Sequence, residues 1–528
     1  MQMPCAAANL LWAGSSVRAW GRYRAALRDP AAVQQQLLLG YLAENSETVF
    51  GRAHSFSTTR SVEEYQSRVP VTTYDDLEPL IQRVARGDLG VLTGSPVTRL
   101  VPSSGSASAA KLIPYTRALQ HEFSRAIGAW IVDLYVHRLH LMCGPAYWSI
   151  SPAIPSATRR DSVEAVPVGF DDDSAYLGGT RRALVRAVLA VPSGVSSIMD
   201  LEAFRHATLL YLLRARELRI ISVWHPSYLG QLLDALETRW DRLIADLASR
   251  DVRRGDELRQ LRPDDVQRIW PNLALISCWA DGPARSAAEC LARRFPHVEV
   301  QPKGLIATEA IVTIPFGGRH PLAIRSHFFE FLDSNGRARL AHQLEHGVEY
   351  SVVVTTAGGL YRYRLADRVT VDGWCEATPS LCFLGKEDSV SDLFGEKLSD
   401  AFVATVLGSL LTNGPQPVFA MLAPDQSASG TAYTLFIESN RSATGISGSA
   451  EAVALQNLAA ALERELRRNP HYAWCVDLGQ LRPACVMPVG PGAHGAYLDF
   501  CAARGRRLGD IKPVSLDSDT GWAAALPH

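Results

Sequence analysis

The chain has 528 residues, 47% hydrophobic and 20% charged, the balance of a globular protein large enough for two or more domains with apolar cores of their own. A formal net charge of -1 gives no global attraction to nucleic acid or to an anionic membrane, and no run of about 18 apolar residues offers a span. Nine scattered cysteines without a C-x-x-C pair argue against a zinc knuckle and a secreted disulfide framework; with no basic-then-apolar leader, the expected location is the cytoplasm.

Up to about residue 70 the apolar spacing is helical, most clearly over 33–42, and Val69-Pro70-Val71-Thr72-Thr73-Tyr74 reads as an extended lead-in to the main domain. Amphipathic stretches then alternate with short apolar runs. Helices are predicted at 117–138, 201–218, 228–250 and 283–294, and strands at 140–143, 220–224, 273–279, 350–356, 369–371 and 381–384. That alternation indicates an α/β architecture with substantial parallel sheet, and the strand-dense stretch 311–384 adds an antiparallel or barrel-like portion. After Gly385 a second unit offers a helix at 399–411, strands at 417–423 and 432–438, and a helix at 449–468 that stops before Pro470. The expected organisation is a large N-terminal domain, 1–385, and a small mobile α/β C-terminal domain, 386–528.

Five segments carry candidate chemistry. Pro102-Ser103-Ser104-Gly105-Ser106-Ala107-Ser108-Ala109-Ala110-Lys111 has small residues that let backbone approach a ligand, hydroxyls and N–H groups that donate to phosphate, and a terminal cation. It is not a Walker loop, and such stretches are more often plain surface loops. In Gly304-Leu305-Ile306-Ala307-Thr308-Glu309-Ala310 an apolar run ends in a hydroxyl and a carboxylate, a pair suited to a phosphate with Mg²⁺ beside it, or simply a solvated strand end. Asp367 closes Gly358-Gly359-Leu360-Tyr361-Arg362-Tyr363-Arg364-Leu365-Ala366-Asp367, where a carboxylate can accept from a ribose diol. Phe383-Leu384-Gly385-Lys386-Glu387-Asp388 and Phe394-Gly395-Glu396-Lys397-Leu398 lie at the expected domain boundary, and Arg507-Leu508-Gly509-Asp510-Ile511-Lys512-Pro513 near the C-terminus. Only five of the 53 basic residues are lysine, and four of them (Lys111, Lys386, Lys397 and Lys512) fall inside these segments, with Lys303 directly before another. In so arginine-rich a chain a retained lysine marks a position where a compact ammonium is needed.

Taken in order, these segments resemble the GH3 family of acyl-acid amido synthetases, a branch of the adenylate-forming (ANL) superfamily. Thr48-Val49-Phe50-Gly51-Arg52, Ile269-Trp270-Pro271 with Cys278-Trp279, and Phe328-Phe329-Glu330-Phe331 look like it too, so the resemblance runs from about residue 45 to Lys512. It implies a large adenylate-forming domain binding ATP and an acyl acid, and a small C-terminal lid. Ser103, Ser104, Gly105 and Ser106 would form the phosphate loop, with Lys111, Lys386 and Lys397 as further nucleotide-binding candidates. Thr308 and Glu309 would contact the α-phosphate and Mg²⁺, Asp367 the ribose, and Lys512 the adenylate oxygens; Glu309 and Lys512 are the catalytic candidates. Two departures stand out: Ser108 where a second loop glycine is common, and Ala366 where a glycine usually precedes the aspartate. Both keep a small side chain, so altered loop geometry is expected and not loss of activity.

The implied substrates are a carboxylic acid and an amine, an amino acid first among amines. Two alternatives stand beside this: coenzyme A or a carrier thiol as acceptor, and a non-catalytic nucleotide-binding homologue. Trp224 and His225 are weak acyl-pocket candidates, since tryptophans such as Trp224, Trp270 and Trp279 are more often core. His342-Gln343-Leu344-Glu345-His346 fits an inverted zinc-protease pattern but lacks room for the helix that chemistry needs. Gly490-Pro491-Gly492-Ala493-His494-Gly495 fits G-x-G-x-x-G but leads into Tyr497-Leu498-Asp499-Phe500, which reads as a strand, so a turn is expected there.

Overall fold

The computed structural model describes residues 3–103, 111–149, 166–167, 179–198, 200–387, 390–391, 393–394, 396–411, 417–427, 430–438, 448–504, 511 and 513–528. Of the residues singled out above, Ser104, Gly105, Ser106, Ser108, Asp388 and Lys512 lie outside them. Contacts divide the chain into two units, 1–365 with 369–383, and 366–368 with 384–528. No helix among the described residues is long and apolar enough to cross a membrane.

The first unit opens with helices Met3–Ala26 and Pro30–Glu44. Asp29 caps the second, accepting from the Ala32 N–H at 3.1 Å, and Pro30 takes the first helical position, where its missing N–H costs nothing. Its α/β portion is a four-stranded parallel sheet in the order Ala146–Trp148, Ile220–Ser222, Leu275–Cys278, Glu299–Pro302. Leu275–Cys278 is buried at every position, the continuous apolar run of a strand covered on both faces.

The second sheet of this unit has five strands in the order Thr378–Lys386, Tyr363–Cys375, Glu349–Thr355, Phe328–Leu332, Ala338–Leu340, with Phe328–Leu332 antiparallel to both neighbours. Phe328, Phe329 and Phe331 are buried, and so is Glu330 between them. Glu330 takes a two-pronged pairing from Arg362, Nε to Oε2 and Nη2 to Oε1, each at 3.0 Å. The guanidinium's remaining nitrogen, Nη1, donates to the carbonyls of Gln66 at 3.0 Å and Val69 at 2.7 Å. Backbone bonds between Thr72 and residues 362 and 364 complete the attachment, so the extended 69–73 segment is stitched onto the second sheet. Phe50 stacks on Tyr361 with ring centres 4.6 Å apart, and the Tyr361 hydroxyl donates to the Leu92 carbonyl at 2.7 Å.

In the second unit, Phe419–Ser427 pairs antiparallel with Gly430–Glu438, which pairs parallel with Arg482–Pro488. Helices Asp400–Leu411, Gly448–Leu466, Pro470–Asp477 and Ala493–Ala503 pack around two small apolar cores, one containing Leu407, Leu435 and Leu462, the other Phe436, Tyr497 and Trp522.

Four expectations need correction. Residues 139–143 form a 3-10 turn, and the strand follows Gly144 instead; a short apolar run has no period to separate the two forms. The helix expected at 228–250 is two, Pro226–Thr238 and Trp240–Ala248, broken at Arg239 (φ -122°, ψ 16°). Tyr497-Leu498-Asp499-Phe500 is helical, because Ala493, Tyr497, Leu498 and Cys501 bury one helical stripe. The G-x-G-x-x-G segment therefore does join a strand to a helix, but the carboxylate of Glu438 already accepts from the N–H groups of Gly492 (3.3 Å) and Ala493 (3.0 Å). As for His342 and His346, the first sits in a three-residue 3-10 turn and the second stacks on Trp374 with centres 6.0 Å apart, so no α-helical face carries both.

Removing one partner of the buried fork strands the other's charge in the core. Glu330→Ala is therefore expected to lower the unfolding free energy by about 3–5 kcal/mol, and the double change Glu330→Leu/Arg362→Met by clearly less, as read by urea denaturation.

Candidate active site

The segment expected to cradle phosphate begins on a β-hairpin, Val97–Ser103 against Lys111–Thr116, in which Ser103 and Lys111 are the last register pair. The Lys111 ammonium lies 5.9 Å from the centre of the Tyr74 ring, whose hydroxyl accepts from the Leu112 N–H at 2.9 Å. The base of the serine loop is thus fixed by tertiary contacts.

Thr308 and Glu309 occupy the tip of a tight reversal. Ile306 bridges Ile311 and the Ala307 N–H donates to the Ala310 carbonyl at 2.9 Å, leaving the two polar residues half-buried at the bend while Ala310 and Ile311 are fully buried. This is the hydroxyl-plus-carboxylate pair expected from sequence, held on a turn instead of a strand end. The N–H of Ile311 donates to Nε2 of His327 at 3.1 Å. Sequence reasoning passed over His327, whose lone imidazole gives no local signal.

The loop before Tyr361 approaches the hairpin so closely that a Cβ at Gly358 would lie 2.8 Å from the Pro114 carbonyl oxygen and 2.9 Å from Leu119 Cδ2. Thr116, the last hairpin residue and cap of the helix Arg117–His137, donates its hydroxyl to the Ala357 carbonyl at 2.9 Å.

In the second unit Asp367 is buried and pairs with Lys386 at 3.2 Å, and the Glu387 N–H donates to the Ala366 carbonyl at 2.7 Å. Two of the sequence candidates are thus brought together. Ala366 has φ +57°, the left-handed region in which a Cβ costs about 1–2 kcal/mol, so the alanine keeps the backbone bend that glycine would adopt freely. Lys397 is exposed at φ +47°, and its carbonyl accepts from Asn469 Nδ2 at 3.2 Å. Beside it the fully buried Glu396 accepts from the N–H groups of Leu393 (2.9 Å) and Phe394 (2.8 Å) and from the Tyr433 hydroxyl. Residues flanking position 512 are anchored: Ile511 is buried in an apolar core, and Asp400 accepts from the N–H groups of Ser515 (2.7 Å) and Leu516 (2.8 Å). Burial raises the Asp400 carboxyl, and these two bonds oppose that.

Trp224 and His225 follow the second strand of the parallel sheet at its carboxyl edge, where open α/β sheets bind ligands. His225 is buried and caps the helix Pro226–Thr238, its Nδ1 accepting from the Ser227 N–H at 3.2 Å. Trp224 meets Trp279 at 5.5 Å, and Lys303 places its ammonium 4.5 Å from the centre of the Trp224 ring. Lys303 is itself buried and donates to Ser222 Oγ (2.9 Å) and the Val223 carbonyl (2.8 Å). The retained-lysine signal pointed at it, but only the sheet edge shows its company. Burial pushes the neighbouring Cys278 thiol up to about 12, so it is no nucleophile at neutral pH.

The parallel α/β sheet, the five-stranded sheet and the small α/β unit make up a fold shared with solved synthetases and ligases. Solved structures with this fold include the acyl acid amido synthetase AtGH3.15 in complex with 2,4-DB (TM-score 0.83, 18% identity, 97% of this chain and 95% of that one). A 2-hydroxyisobutyryl-CoA ligase in the postadenylation state shares it more distantly (TM-score 0.51, 13% identity, 88% of each chain). Models of the GH3 family N-terminal, central and C-terminal domains match residues 20–300, 320–386 and 403–519, and the chain belongs to the GH3 family. Relatives include the indole-3-acetic acid-amido synthetase GH3.4 of Arabidopsis thaliana, 25% identical over 71% of this chain and 70% of that protein. GH3.8 of Oryza sativa subsp. indica, also named an indole-3-acetic acid-amido synthetase, is 24% identical over 94% of this chain and 92% of its own length.

If Asp367 accepts the ribose hydroxyls, Asp367→Asn should raise the KM for ATP by about 10-fold or more, the worth of a hydrogen bond to a charged group, with the KM for the acid little changed. Steady-state kinetics with each substrate varied in turn checks this.

Proposed function

We propose that this chain activates a carboxylic acid with ATP as an acyl adenylate and then transfers the acyl group to an amine, an amino acid being the preferred nitrogen donor. The observation carrying this reading is the ordered run of GH3 domain matches from residue 20 to 519, with the hydroxyl–carboxylate turn at 308–309 and the Asp367 segment within it. The relatives named above are amide-forming synthetases, which favours an amine over a thiol as acceptor.

A carboxylate is anionic at neutral pH and a poor electrophile. Its oxygen attacks the α-phosphorus of ATP, the bond to the bridging oxygen breaks, and pyrophosphate leaves. The amine nitrogen then attacks the activated carbonyl carbon, AMP departs with the bonding pair, and the nitrogen loses a proton. In this reading the Thr308 hydroxyl and the serine loop orient the α-phosphate, Asp367 holds the ribose, Lys111, Lys386 and Lys397 are further nucleotide-binding candidates, and Lys512 meets charge developing on the phosphate oxygens. Glu309 suits Mg²⁺: one half-exposed carboxylate beside a hydroxyl is the sparse donor set of an ion that keeps waters and phosphates, and no cluster of three or more metal-ligating side chains exists among the described residues. Bound there, the ion would supply charge neutralisation at the phosphates. Trp224 and His225, with Trp279 and Lys303, are the acyl-side candidates at the sheet edge. Nine free thiols favour the reducing cytoplasm.

Pyrophosphate exchange across a panel of carboxylic acids, then AMP release with amino acids against coenzyme A, tests the reading. Amino-acid-dependent release is expected. Coenzyme A-dependent release would make the chain a thioester ligase, and ATP binding with no exchange for any acid would make it a non-catalytic homologue. Lys512→Ala should cut exchange by about 10²–10³-fold while ATP binding persists.

A further inference from the structure

Three of the segments given roles above are joined by hydrogen bonds that run through or beside one buried carboxylate. Glu122, on the helix Arg117–His137, is 1% exposed, and its Oε2 accepts from Nδ1 of the fully buried His327 at 3.0 Å and from the Ala357 N–H at 3.2 Å. Its Oε1 accepts from the Tyr41 hydroxyl, with the Arg125 guanidinium 3.9 Å away. Burial, helped by the Glu122 charge, pushes the Tyr41 phenol up, so that hydroxyl stays a donor. Because Nε2 of His327 accepts from the Ile311 N–H, the ring's proton is on Nδ1 and is directed to Glu122. The hydrogen bonds therefore run from the 307–310 reversal through His327 to Glu122, and from Glu122 to the 356–359 loop. Thr116 continues them from that loop's Ala357 carbonyl to the end of the serine-loop hairpin.

A carboxylate this deep is costly unless satisfied, and apolar residues would pack the same space without that cost. We propose that Glu122 and His327 are positioning residues that fix the Thr308–Glu309 turn in register with the 356–359 loop and the hairpin base. The imidazole is suited to this because it is both acceptor and donor across one ring: it closes the Ile306–Ile311 reversal by accepting from the Ile311 N–H and donates from its other nitrogen to Glu122. The inference rests on the ATP-dependent ligase reading.

The test uses two variants that each keep one side of the ring's function. The amide of His327→Gln reaches the Nε2 position and can still accept from Ile311; that of His327→Asn reaches the Nδ1 position and can still donate to Glu122, but leaves the Ile311 N–H unpaired. Each variant cuts one side of the link between the turn and Glu122, so pyrophosphate exchange per folded molecule should fall in kcat by about 10- to 100-fold in both, the effect of a misplaced reacting geometry. A wild-type kcat per folded molecule in either variant would overturn the proposal, since a purely structural histidine predicts lost stability with the folded fraction fully active. Hydrogen–deuterium exchange of the wild-type chain gives a readout that needs no variant. A non-hydrolysable ATP analogue should slow exchange in peptides covering 305–313 and 355–360 together. Protection of one without the other overturns this inference alone; no protection anywhere overturns the ligase reading and this inference with it.

Discussion

The fork between Arg362 and Glu330 is the constraint on which the first unit is built. The buried guanidinium of Arg362 is tolerable because four hydrogen bonds answer it, two to one carboxylate and two to the carbonyls of Gln66 and Val69. Satisfying it requires the 66–72 segment to lie against the sheet and Arg362 itself to adopt φ +45°, a conformation an unconstrained arginine avoids. That bend sets the start of the strand Tyr363–Cys375, along which Asp367 is reached.

The same logic recurs on a smaller scale wherever a polar group is buried. Glu122, Glu396, Glu438 and Asp400 each accept from backbone N–H groups of segments that have no regular partner strand or helix to satisfy them. A carboxylate with several lone pairs can gather donors from two directions, which an apolar side chain cannot. The turn at 393–394 before Lys397 and the chain at 515–516 beyond position 512 are thus held by buried acids.

Ala366 shows how a departure from a family pattern is absorbed. The position has a left-handed backbone, and the chain keeps it with alanine, aided by the Glu387 N–H to the Ala366 carbonyl. The cost is local strain, not a changed path of the chain.

The sequence by itself determined the class of fold, the order of the chemistry-bearing segments and the family, because periodicity, chain punctuation and short ordered motifs are local properties. It placed the helix at 117–137 and the antiparallel stretch after 311, where spacing is long or β-forming residues are dense. It misread 140–143 and 497–500, where three apolar residues and one polar one carry no period and only the neighbouring sheet or core decides between strand and helical turn. What the tertiary structure alone decided is which buried polar groups serve the site. Glu122 and His327 stand 205 residues apart in the chain, Glu122 and Ala357 235, and Glu122 and Tyr41 81. A lone acid in a helix and a lone histidine before a strand have no sequence signature, because their meaning lies in donors and acceptors that only folding brings within 3 Å or so of each other.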